Sequence, residues 1–173
     1  LYGDNGDGVM DDLDRQDPRG AGTFERDGGT QLGERMFAVG NGGRLASGDS
    51  SGLTWGDLNT QGIGDLGRIA YGNGRLVALG EADAVIVLDF DLVFAQPHDG
   101  AILDLAWADD RFIGGGPDGA LGWSWDGLTW NVETLGTGQW TGVAHDAIGV
   151  AVSDDGEVAT WDGAAWTLGT DTG

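Results

Sequence analysis

Residues 122–133 read GWSWDGLTWNVE, and 36 residues later residues 158–169 read VATWDGAAWTLG. In both stretches two tryptophans bracket an Asp-Gly. A pattern that returns at a fixed interval restricts a chain to folds built from one repeated supersecondary unit. The last aromatic of each unit carries the interval back along the chain: Trp55, Phe94, Trp130 and Trp166 are spaced 39, 36 and 36 residues apart. A second register agrees, because Ile69-Ala-Tyr71, Leu105-Ala-Trp107 and Val143-Ala-His145 are 36 and 38 apart. A third sets Arg35, Arg75 and Arg111 at the head of RMFAVG, RLVALG and RFIGGG.

Each unit divides into short apolar runs separated by NG, DG, DD and GG, the punctuation of tight hairpins. The third unit reads as strands at 102–108, 111–116, 120–124 and 128–133. The fourth reads as 140–145, 148–153, 157–161 and 165–169, and the second as 67–72, 74–80, 84–89 and 92–96. The first shows three strands, at 35–40, 44–48 and 53–58; its opening strand is missing or displaced, with GTFE at 22–25 the nearest stretch that could serve. No segment sustains a 3.6-residue period, and 35 glycines in 173 residues interrupt any helix. Four-stranded antiparallel units of this length cannot bury both faces alone and do so by stacking around an axis. The expected fold is therefore all-β, a β-propeller-type repeat of four-stranded antiparallel blades. We place blades at about 33–62, 65–99, 100–137 and 138–173, after an acidic, turn-rich linker at 1–32. The count leaves three arrangements: part of a larger propeller, a ring completed by an oligomer, or a small four-bladed ring.

The stretch IAYGNGRLVALG, followed a unit later by RFIGGGPDGALGWSWDGLTW, resembles the sialidase-like propellers that carry degenerate Asp-box (BNR-type) repeats. The resemblance covers residues 33–169. Ser124-Trp-Asp126-Gly-Leu-Thr129-Trp130 fits that pattern well. Thr160-Trp-Asp162-Gly-Ala-Ala-Trp166 keeps the Asp-Gly and the last tryptophan, Ser51-Gly-Leu-Thr-Trp55 has serine where aspartate is expected, and LDFDLVF at 88–94 keeps only Phe94. In the two Asp-Gly turns we expect Asp126 and Asp162 to cap their own turns through the side chain, and Gly127 and Gly163 to take the positive-φ position.

The resemblance raises the question of glycoside hydrolysis. Sialidases use an arginine triad, a tyrosine nucleophile with a glutamate, and an aspartate acid/base. Arg35, Arg75 and Arg111 recur in register at equivalent hairpins, which marks a structural part, and Tyr71 shares its repeat position with Trp107 and His145. Only Tyr2 is left, and His98 and His145 have no serine–acid or H-E-x-x-H partners. The reading is a non-catalytic binding or scaffolding module, with no catalytic residue assigned. The alternatives are a carbohydrate-binding, lectin-like propeller and a piece of a sialidase-like glycoside hydrolase whose catalytic residues lie elsewhere. Trp125 and Trp161 stand beside the Asp-Gly turns and are the candidate ligand-binding aromatics, for protein or glycan.

The charge narrows the partners. With 29 acidic and 8 basic residues the net charge is −21, a surface that repels nucleic acid phosphates and anionic membranes and favours cations. No cysteine is present, which removes disulfides and thiol chemistry, and no apolar run is long enough for membrane insertion. The chain starts at Leu1 with no visible signal peptide, from which we expect a mature or excised piece of a secreted or cell-surface protein.

Residues 3–14, GDNGDGVMDDLD, resemble the calcium loops of type 3 thrombospondin and dockerin repeats. Calcium takes six to eight oxygens from a short flexible loop with a glycine at its sharp turn. In loop order Asn5, Asp7, Asp11 and Asp14 supply side chains, Val9 its carbonyl, and Gly8 the turn. The first position is Gly3, so one ligand is lacking, and Asp14 is shorter than the usual glutamate. Both push the affinity toward the extracellular range of roughly 10⁻⁴–10⁻³ M. Millimolar calcium is expected to raise the melting temperature and EDTA to remove the gain; melting indifferent to both would refute the site.

Overall fold

The computed structural model describes the backbone of residues 26–32, 35–49, 51–58, 64–80, 83–88, 92–97 and 101–169, and the side chains of 35–49, 51–57, 64–80 and 101–169. Four antiparallel sheets of four strands follow one another along the chain. Blade 1 is β1 (Arg26–Leu32), β2 (Arg35–Gly40), β3 (Arg44–Asp49) and β4 (Trp55–Leu58). Blade 2 is β5 (Leu66–Gly72), β6 (Arg75–Gly80), β7 (Asp83–Leu88) and β8 (Leu92–Pro97). Blade 3 is β9 (Asp104–Ala108), β10 (Arg111–Gly115), β11 (Ala120–Ser124) and β12 (Asn131–Thr134). Blade 4 is β13 (Trp140–His145), β14 (Gly149–Ser153), β15 (Val158–Trp161) and β16 (Trp166–Leu168).

Each blade is a meander, so strands pair only with their chain neighbours. The turns follow from their residues. Asn73 and Gly74 both have positive φ (50° and 72°), as a two-residue turn between right-twisted strands requires.

The first blade corrects the sequence expectation. Its opening strand is β1, paired with β2 from Arg26↔Gly40 to Leu32↔Arg35. The described part of the first blade therefore starts at residue 26 rather than 33, while residues 22–25 lie outside the described residues. RDGGTQL has one apolar residue and no alternation, so it carries no strand pattern of its own; it joins the sheet through its backbone ladder. The rest of the expected linker, residues 1–25, lies outside the described residues, as does the calcium loop within it.

The core lies between blades. Phe37, Val39 and Leu45 of blade 1 share a buried cluster with Leu66, Ile69, Leu76 and Ala78 of blade 2. Val77 and Leu79 of blade 2 meet Leu105 and Phe112 of blade 3, and Ile113 and Leu121 of blade 3 meet Trp140, Ala151, Ala159 and Trp161 of blade 4. Alternate residues of each second strand face opposite neighbours. Each blade thus has a leading face, toward the blade before it, and a trailing face, toward the blade after it. The first strands pack in a row, β1 on β5, β5 on β9 and β9 on β13. Among the described residues no comparable contact returns from β13 to β1.

Candidate functional site

In a meander the first and third turns of every blade fall at one end, which here gathers the Asp-Gly turns and the repeat arginines. The turn after β11 is built by two side chains. Asp126 Oδ1 accepts the amides of Leu128 and Thr129 at 2.9 and 2.8 Å and the Ser124 hydroxyl at 3.0 Å. Ser124 Oγ in turn accepts the Gly127 amide at 2.9 Å, and the Trp130 indole donates to the Gly127 carbonyl at 3.2 Å. Gly127 has φ 76°, and a Cβ there would press into Val77 of blade 2. Burial works against the Asp126 charge, but the Thr129 and Leu128 amides, the Ser124 hydroxyl and Arg75 hold its carboxyl below the usual range.

The same turn recurs with variations. In blade 1 the serine and aspartate are exchanged: Asp49 accepts from the Ser51 hydroxyl and, at 3.1 Å, the Ser51 amide, while Ser51 Oγ accepts the Leu53 amide at 3.3 Å. The Trp55 indole still donates to the Gly52 carbonyl, at 3.0 Å. Serine at position 51 is therefore compensated by Asp49, a signal legible two residues upstream. In blade 4 Asp162 Oδ1 accepts the amides of Ala164 and Ala165, both at 2.9 Å, and Gly163 has φ 97°.

The two candidate tryptophans part here. Trp125 is 50% exposed and Trp161 only 2%, so Trp161 is not a platform for a ligand. The reason is a one-residue difference in the ladder. Trp107 pairs with Phe112 and His145 with Gly149, which makes Phe112 and Gly149 equivalent. Phe112 faces Ser124 across the sheet, whereas Gly149 faces Trp161. Trp161 thus occupies the buried place of Ser124 rather than that of Trp125. A slip of one residue turns a side chain to the opposite face, here into the junction with blade 3, over Gly149 and against Trp166 at 5.6 Å between rings.

Trp125 instead lies on a rigid base. The Arg111 guanidinium sits 4.3 Å from the centre of its ring, 5.2 Å from that of Trp123 and 5.9 Å from that of Trp161. Trp123 meets Trp125 edge-on at 5.6 Å. Asp110 grips Arg111 through two hydrogen bonds, to Nε at 2.7 Å and to a terminal nitrogen at 3.1 Å. The fork geometry suits a carboxylate, and it holds Asp110 below the ordinary carboxylate range and raises the guanidinium. His145 Nε2 stands 3.6 Å from Asp109 Oδ2.

The repeat arginines do not converge. Arg111 reaches over Trp161 of the next blade, Arg75 donates to the Asp126 carbonyl of the next blade at 3.5 Å, and Arg35 donates to Ser47 of its own blade at 2.9 Å. Tyr71 is half-buried against the blade 1–2 core. His98 lies outside the described residues, as do Asn5, Asp7, Val9, Asp11 and Asp14. Among the described residues no group of three or more His, Asp or Glu is placed to hold a metal ion.

No protein-family model matches the chain, and no curated protein matches it. Solved structures do. YCF48 bound to D1 peptide matches with a TM-score of 0.67 at 16% identity, over 87% of this chain and 56% of that one. The computationally designed Ika4 protein matches with 0.63 at 14%, over 82% and 92%. The WD40 β-propeller domain of Doa1 matches with 0.62 at 16%, over 86% and 56%. The fold is that of a β-propeller, and the chain spans little more than half the length of the YCF48 and Doa1 chains it matches.

Trp161→Ala is expected to cost about 3–5 kcal/mol, as for large buried aromatics. Trp125→Ala should stay within about 0.5 kcal/mol. Urea unfolding of the two variants checks this, and equal losses would contradict the assignment of their faces.

Proposed function

We propose that the chain is a non-catalytic, protein-binding or scaffolding propeller module that receives an extended, basic segment of its partner on the Asp-Gly end of blades 3 and 4. The half-exposed ring of Trp125 on its Arg111–Trp123 base carries this reading. A pre-packed aromatic offers a large contact at little entropic cost. Around it the first and third turns bring Asp109, Asp110, Asp146 and Asp162 to the same end, and the net charge of −21 steers cations toward it. Lysine and arginine side chains suit both an aromatic face and a carboxylate rim. YCF48, whose fold this chain shares, has been solved with a peptide bound, which supports a peptide-binding use of the architecture.

On the same reading the loop of Asn5, Asp7, Val9, Asp11 and Asp14 binds calcium and stiffens the approach to the first blade. The module then works outside the cell, where calcium is abundant enough for a weak loop.

The chain is screened against arrayed basic, neutral and acidic peptides and against a glycan array. Basic peptides should be retained, binding should weaken as salt rises, and Trp125→Ala should lower affinity at least tenfold with melting unchanged. Retention of sugars instead, lost in Trp125→Ala, would make the module a lectin and overturn the peptide reading.

A further inference from the structure

Blade 1 has open space where blade 3 has indoles. Phe37 faces Ser47 and Ile113 faces Trp123, each two residues after its repeat arginine, so Ser47 holds the place of Trp123. Across the next ladder Gly56 faces Ser47 as Asn131 faces Trp123. Gly48 faces Met36 as Ser124 faces Phe112, so the residues that follow, Asp49 and Trp125, also correspond. In blade 3 the guanidinium of Arg111 lies against both indoles, 5.2 Å from the centre of Trp123 and 4.3 Å from that of Trp125. In blade 1 the same places carry serine and aspartate, and a groove of about 500 Å³ opens beside the exposed Arg35, lined also by Trp55 and Gly56. That size falls in the range of about 300–1,000 Å³ usual for small-molecule sites. A Cβ on Gly56 would meet nothing within 4 Å, so the edge strand leaves the groove open.

We propose that this groove is a second binding site, which takes a tryptophan or tyrosine side chain of a partner protein stacked on Arg35. Blade 3 supplies the precedent, since on the same scaffold the same arginine receives flat indole rings. A guanidinium is planar and always charged, and it stacks on aromatic faces. Here it is held in place. A terminal nitrogen of Arg35 donates to the buried Ser47 hydroxyl oxygen at 2.9 Å, and its guanidinium carbon lies 5.9 Å from the centre of the Phe37 ring. A plane already fixed in this way lowers the ordering cost of binding a ring. Asp49 lines the same groove and selects among rings. It accepts the Ser51 hydroxyl and, at 3.1 Å, the Ser51 amide. The Ser51 and Thr54 hydroxyls hold its carboxyl below the usual range. An ionised carboxylate only accepts hydrogen bonds, so Asp49 favours a ring that carries an N–H or O–H over phenylalanine. The same carboxylate and the net charge of −21 disfavour free aromatic acids and nucleotides, which leaves a side chain within a polypeptide. The groove and Trp125 belong to different blades, so this reading and the basic-segment reading fail separately.

NMR titration of the whole chain with the uncharged N-acetyl amides of tryptophan, tyrosine, phenylalanine and cyclohexylalanine tests this. The tryptophan and tyrosine probes should shift the Arg35 side-chain N–H and the amides of Ser47, Asp49 and Gly56 saturably. The phenylalanine probe should bind more weakly and the cyclohexylalanine probe should leave these signals in place. Gly56→Trp, which sets an indole in the groove without a clash at its Cβ, should abolish the shifts without lowering the melting temperature. Arg35→Lys, which keeps the charge and loses the plane, should weaken binding about fivefold. The proposal is overturned by the absence of a saturable shift at Arg35, by equal affinity for the cyclohexylalanine probe, by shifts confined to Trp125 and its neighbours, or by binding that persists in Gly56→Trp. Should Gly56→Trp fail to fold, the wild-type shifts alone decide.

Discussion

The blades bury their apolar faces against one another at three junctions. A four-stranded sheet of this size has two apolar faces, and among the described residues no α-helix covers them, so burial requires a neighbour, and the apolar clusters each draw on two blades. The stacking is close enough to dictate residue size. A Cβ on Gly72 of blade 2 would fall inside the Trp107 ring of blade 3, and one on Gly149 would press on Ile113. Polar contacts set the axial register. The Asp104 carboxylate on β9 takes Arg68 of blade 2 at 2.9 Å and the Val143 amide of blade 4 at 2.7 Å. Burial nonetheless pushes this carboxyl up, with the Val143 amide and Arg68 offsetting part of the effect. As with many buried ion pairs, its contribution lies more in fixing which strands align than in net stability.

The candidate site grows from the same junctions. Arg111 belongs to blade 3 yet leans over Trp161 of blade 4, and Arg75 of blade 2 reaches the Asp126 turn of blade 3. Arginines that a carboxylate-binding enzyme would aim at a common centre are engaged at separate places. What remains for a partner is the aromatic surface that the Arg111 junction holds still. Trp125 is exposed because blade 3 has one more residue between the buried position, Ser124, and the closing Trp130 than blade 4 has between Trp161 and Trp166.

Much of the fold was legible in the chain. The period, the four-strand unit and the turns could be read because Asp-Gly and Asn-Gly mark hairpins through local chemistry. β1 was not legible, since two glycines and polar residues carry no alternation and its place is fixed by pairing with β2. The equivalence of Trp125 and Trp161 was misleading for a similar reason. Aligning on the closing tryptophan makes them match, but a side chain's face is set by the strand ladder, and the ladder slips by one residue. The exchange of serine and aspartate in blade 1 could have been found by looking two residues before Ser51. The exposure of Val152 and Val158 in blade 4 could not, because both look like core residues until the next blade is sought.

The dependence of each blade on its neighbour is tested most directly by native-state hydrogen exchange on dilute protein, residue by residue. If shared junctions hold the fold, amides of β6 and β10, between two covered faces, exchange slowest, and protection falls through blade 4 toward β15 and β16. Blade 4 protected as strongly as blade 3 under the same dilute conditions, or four blades exchanging independently, would contradict the account.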